Sequence, residues 1–80
     1  MKAIVTKYIS PTDTKPSKIR ASAEGVKSIT VSYDHSLCSA GNHYVAAKKF
    51  QEVLGWNWDE IVSGVLPNGD YAHIGIYENN

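Results

Sequence analysis

Only one stretch of the chain, Asn42 to Leu54, spaces its apolar residues three and four apart as a helix requires. Ala46, Ala47, Phe50, Val53 and Leu54 then form a single apolar stripe, while Lys48, Lys49, Gln51 and Glu52 fall on a solvated face. Ser39 or Asn42 can cap the first free amides, Gly55 stops the helix, and Trp56 can fold back on its last turn. A lone helix can roof one face of a sheet and leaves the other bare. That constraint governs every functional reading of this chain.

The other segments alternate in the manner of strands. Lys2 to Ile9 carries apolar groups toward both faces and is expected inside the sheet, followed by a polar loop from Pro11 to Pro16. Ser17–Ala23 and Val26–Tyr33 are expected to pair across Ala23-Glu24-Gly25, with Ile19 opposite Ile29. That register buries Ile19, Ala21, Ile29 and Val31 and exposes Lys18, Arg20, Ser28 and Thr30. Asp34 to Gly41 reads as a linker. Ile61–Leu66 and Tyr71–Tyr77 flank an Asn-Gly turn, and a two-residue Asn68-Gly69 loop sets Ile61, Ser63 and Val65 against Ile76, Ile74 and Ala72 toward the core. Tyr71, His73, Gly75 and Tyr77 would then share the bare face with Val62, Gly64 and Leu66. The expected fold is α+β, in the order β-β-β-α-β-β: a five-stranded, mainly antiparallel sheet with one helix packed on one face.

Eighty residues suit one domain, taken here as 1–80, and about 60% of the unfolded surface can be buried at this size. The single cysteine, Cys38, cannot form an internal disulfide, which agrees with a reducing compartment. No apolar run is long enough for a membrane helix, and the opening Met1-Lys2-Ala3-Ile4-Val5 is too short for a signal peptide. The expectation is a cytoplasmic chain with no membrane partner. Net charge is zero, but it is divided unevenly: Met1 to Lys27 carries a net +4 and Ser28 to Asn80 a net −4. With a pI near 6.8, any contact with an anion must come from a local patch.

Reactive side chains cluster once, in Asp34-His35-Ser36-Leu37-Cys38 and His43. The spacing His-x2-Cys-x4-His supplies three zinc-type ligands and lacks the two short paired motifs of a structural site. A thiol near imidazoles can be a nucleophile, yet no oxyanion-hole signature accompanies it. Asp59-Glu60 reads as a solvated turn, and the scattered glycines make no phosphate-binding loop. The expectation is therefore no catalytic residue, no metal and no cofactor. Of the two tryptophans, Trp56 is expected to anchor the helix end and Trp58 to be partly exposed.

Several stretches together resemble a group of short uncharacterised proteins of phages, prophages and plasmids. They are Met1 to Tyr8, Pro11-Thr12, Ser17 to Ala21, Tyr33-Asp34-His35, Ala46-Ala47, Gly55-Trp56 and Leu66 to Tyr71. The resemblance spans nearly the whole chain and implies an accessory protein of a mobile genetic element, acting in the cytoplasm of the host cell. It implies no activity and transfers no functional residue. By analogy of size and setting, anti-CRISPR inhibitors are a class of such small α+β proteins.

The expected function is a non-enzymatic binding module that inhibits a host defence complex, a protein or ribonucleoprotein, by contact. Its expected partner-binding residues are Lys18, Arg20, Thr30, Tyr71, His73, Tyr77 and Trp58. The alternative is a nucleic-acid-binding accessory protein, using Lys7, Lys18, Arg20 and stacking tyrosines of the basic and aromatic sheet face. A homodimer through that face is a further expectation.

Overall fold

The computed structural model describes residues 3–76. Five strands form one antiparallel sheet: β1 (Ala3–Ile9), β2 (Lys18–Ser22), β3 (Ile29–Ser32), β4 (Glu60–Val65) and β5 (Tyr71–Ile76). Helix α1 (Ser39–Leu54) lies between β3 and β4 in the chain. The spatial order β3-β2-β1-β5-β4 puts the β-branched, apolar first strand in the middle, as its two-sided pattern predicts. The fold is α+β, with one helix on one side of an open sheet.

Register decides what each face carries. β1 and β2 pair Thr6 with Ala21 and Tyr8 with Ile19, and β2 and β3 pair Ile19 with Val31 and Ala21 with Ile29. The second pairing is two residues away from the expected Ile19–Ile29 match, because the turn takes in more of the Ala23–Ser28 segment. A two-residue slip preserves the faces. Ile19 and Ala21 are fully buried and Ile29 and Val31 half-buried, on the helix side as anticipated.

The second hairpin departs from expectation. Leu66 N–H donates to Asp70 O at 2.7 Å and Gly69 N–H donates to Leu66 O at 2.9 Å, closing a three-residue Pro67-Asn68-Gly69 loop with Gly69 at φ 93°. A two-residue loop would need Pro67 to donate a closing amide, and proline has none. The register moves by one residue, and every β5 side chain changes face. Ser63 opposes His73, Ile61 opposes Gly75 and Val65 opposes Tyr71. Tyr71, His73 and Gly75 therefore lie on the helix side, and Ala72, Ile74 and Ile76 on the bare side, the reverse of the expected arrangement. Tyr77 lies outside the described residues.

The helix begins at Ser39, three residues before the predicted start, and its cap is Cys38, whose Sγ accepts from Gly41 N–H at 3.3 Å. Asn42 is not the cap. Its amide reaches back instead, accepting from Asp34 N–H at 2.7 Å and donating to Asp34 O at 2.9 Å and Cys38 O at 3.0 Å, which ties the linker to the helix. Gly55, at φ 73°, ends the helix as expected, and Trp56 N–H returns to Gln51 O. The buried stripe is Asn42, His43, Ala46, Ala47, Phe50 and Gln51. Val53, expected in the core, is 68% exposed, because the stripe turns through Gln51 instead. Gln51 is buried and donates to the carbonyls of Trp56 and Trp58, so a polar side chain secures the chain that leaves the helix.

Helix α1 packs chiefly on β1 and β2. Ile4, Ile19, Ala21, Ala46, Ala47, Phe50 and Trp58 make the core. Trp58, expected to be partly exposed, is only 7% so, and it covers the sheet at Gly75 beyond the helix end.

Candidate functional site

The sheet carries two distinct constellations, one on each face. Under the helix lies a polar chain. Thr6 Oγ1 is 2.7 Å from His43 Nδ1 and 2.8 Å from His73 Nε2, and His73 Nδ1 is 2.7 Å from Ser63 Oγ. The strand pairings Ile4–His73 and Thr6–Tyr71 bring β5 beside β1, and α1 lowers His43 onto Thr6. Tyr71 stacks on the His43 ring, with centroids 4.2 Å apart. Thr6 and His73 are fully buried and His43 is nearly so.

The Thr6 hydroxyl has one proton, so it donates to one imidazole and accepts from the other. The tautomers of the two rings are therefore coupled: when Thr6 donates to His73, that ring donates onward to Ser63, and when His73 donates to Thr6 it accepts from Ser63. Burial pushes His73 down to about 4, with the charge of His43 adding to the effect. Burial also lowers His43, opposed by the Asp70 carboxylate and the Thr6 hydrogen bond. Both rings are neutral at pH 7. An imidazole so weakly basic accepts a serine proton poorly.

The residues of the thiol cluster go separate ways. Cys38 is exposed and caps the helix, His35 lies tilted against Tyr33 with ring centroids 5.1 Å apart, and His43 points into the Thr6 chain. The Asp34 carboxylate accepts from the Ser36 hydroxyl and amide, which hold it below the usual carboxylate range. Among the described residues, no three metal-ligating side chains converge.

On the other face, none of the described strand residues is buried. Lys7 directly opposes Arg20, and Arg20 directly opposes Thr30, so the three make a row across β1, β2 and β3. Lys18 lies beside Ser32 at its flank. Lys7 Nζ is 4.0 Å from Asp70 Oδ1. The other half of this face is apolar apart from Glu60 at its outer edge: Val5, Ala72 and Ile74 are half-buried, Val62 is 52% exposed and Ile76 40%. Beyond Val5, around the end of the sheet, Ala3, Ser22, Glu24, Val26 and Trp56 help to line a hollow of about 570 Å³.

Of the expected partner-binding residues, Lys18, Arg20 and Thr30 thus share the bare face. Tyr71 and His73 are on the opposite one, and Trp58 is buried. Lys7, expected to serve the nucleic-acid alternative, joins Lys18, Arg20 and Thr30 on the bare face, and the apolar band of Val62, Ile74 and Ile76 was absent from the expected set. Among the described residues, no tyrosine or tryptophan stands on the bare side of a strand. No helix among the described residues is long and apolar enough to cross a membrane. Compared with protein-family models, curated proteins and solved structures, the chain finds no match in any of the three.

Proposed function

We propose that this protein is a non-enzymatic binding module that docks through its bare sheet face onto an acidic surface of a protein partner. The carrying observation is the direct opposition of Lys7 and Arg20 on an uncovered sheet. Like charges facing each other across strands weaken a sheet, and the single long contact of Lys7 with Asp70 offsets little of that. An anionic partner would neutralise both cations at once and add to on-rate as well as specificity.

The apolar half of the face favours a protein partner over a nucleic acid. Val62, Ile74 and Ile76 beside a cationic row resemble the mixed composition of a protein interface, whereas a single-strand binder needs stacking rings along a charged groove. In the setting that the resemblance to phage and plasmid proteins implies, the partner would be a host defence complex in the cytoplasm, inhibited by being covered.

The test is capture from nuclease-treated host lysate by immobilised wild-type protein and by the Lys7→Glu/Arg20→Glu variant. A partner that survives nuclease and is lost with the charge reversal supports the reading. Capture that disappears on nuclease treatment, together with binding of a labelled single-stranded oligonucleotide, points instead to the nucleic-acid alternative.

A further inference from the structure

Strand β4 is an outer strand of the sheet, and it carries neither proline nor lysine, the residues that commonly keep an edge from pairing. The other outer strand, β3, is only four residues long and follows Lys27. Which β4 groups face outward follows from its turn. Leu66 and Asp70 form a hydrogen-bonded pair, and such pairs alternate along an antiparallel ladder. Gly64, Val62 and Glu60 therefore direct their backbone amides and carbonyls at β5, and Ile61, Ser63 and Val65 direct theirs outward. Ser63 and His73 are then a non-hydrogen-bonded pair, the kind in which side chains come closest, in keeping with the 2.7 Å contact between them.

We propose that this edge pairs antiparallel with β4 of a second copy, Ser63 against Ser63, giving a twofold dimer with one continuous sheet. This register is self-complementary. It is the one antiparallel self-pairing in which every outward residue meets another: Ile61 meets Val65 of the second copy, Ser63 meets Ser63, and Val65 meets Ile61. Each of these pairs exchanges two main-chain hydrogen bonds. Val62, 52% exposed, comes beside Gly64 of the second copy, which has open space where a side chain would stand. Val65, 64% exposed, gains cover from Ile61. Glu60 is the only charged residue of β4, and in this register it lies across from Leu66 rather than from its own copy. No like charges meet between the described residues of the two β4 strands. The second copy thus belongs at the edge rather than on the bare face, and the Lys7–Arg20 row stays free on the far strands of both protomers.

Sedimentation and residue-resolved amide exchange, from micromolar to millimolar protein, test this. The expected mass rises from that of the 8.8 kDa chain to twice that value. The amides of Ile61, Ser63 and Val65 gain protection of about tenfold or more over the same range, while those of Val62 and Gly64 are protected throughout. Val65→Pro removes an outward amide without touching a β5 hydrogen bond and should remain monomeric. Val65→Lys, which keeps the backbone intact, should weaken the dimer if the proline variant does not fold. A monomeric mass at millimolar protein overturns the proposal. So does a dimer in which the three outward amides exchange freely.

Discussion

The indole ring of Trp58 occupies the space that a side chain on Gly75 would need, so the loop after the helix closes the core against bare backbone. Gly75→Ala should force the ring out, at a cost of about 1–3 kcal/mol. Gly64→Ala, one strand away with nothing within 4 Å of the new Cβ, should stay within about 0.5 kcal/mol of wild type. Urea midpoints, with tryptophan emission reporting exposure of the ring, compare the two.

The Thr6 hydroxyl bridges the two buried imidazoles. Thr6→Val keeps the volume and leaves both rings with a polar nitrogen unpaired, so it should cost about 2–4 kcal/mol, more than loss of one ordinary hydrogen bond. A change under about 1 kcal/mol in chemical denaturation would show that the chain contributes little.

Stability should depend on pH through His73. Its folded value is about 4 against 6.5 for the free group, so between these the unfolded chain binds a proton that the folded one refuses. The contribution is fully present above pH 6.5 and is lost as pH falls toward 4, about 3 kcal/mol in all. His43, lowered too, acts with the same sign. Denaturation midpoints across this window should fall for wild type and flatten for His73→Phe.

How much of this was legible in the sequence depended on what a misread turn does to a face. In the β2–β3 hairpin a two-residue slip left Ile19, Ala21, Ile29 and Val31 on the helix side and Lys18, Arg20 and Thr30 on the bare one. In the β4–β5 hairpin a one-residue error exchanged the faces, because Asn68-Gly69 so often makes a two-residue turn. Pro67 was the contrary signal: it suits the second position of a type I turn and cannot close the shorter loop. The Thr6–His43–His73–Ser63 chain was not legible. It joins residues up to 67 positions apart, and each taken singly looked like surface or core. Val53 and Gln51 were misplaced because the burial of Gln51 rests on hydrogen bonds to Trp56 and Trp58 rather than on apolarity.

Cys38 caps the helix with a weak acceptor. Cys38→Ser supplies a better one at the same position and should stabilise the fold by about 0.5–1 kcal/mol. Thermal melts of the two proteins under reducing conditions measure it. A destabilised serine variant would show that the thiol does more than cap.

Two cations held face to face on an uncovered sheet must weaken the isolated fold if a partner is what they serve. The melting temperature of Arg20→Glu at low ionic strength measures this without the partner in hand. With Lys7 opposite a carboxylate instead of a guanidinium, it should rise by about 2–4 °C, and the rise should shrink in high salt. A melting temperature equal to or below that of wild type would mean that Lys7 and Arg20 do not strain the sheet, and the argument for a docking face would fail with them.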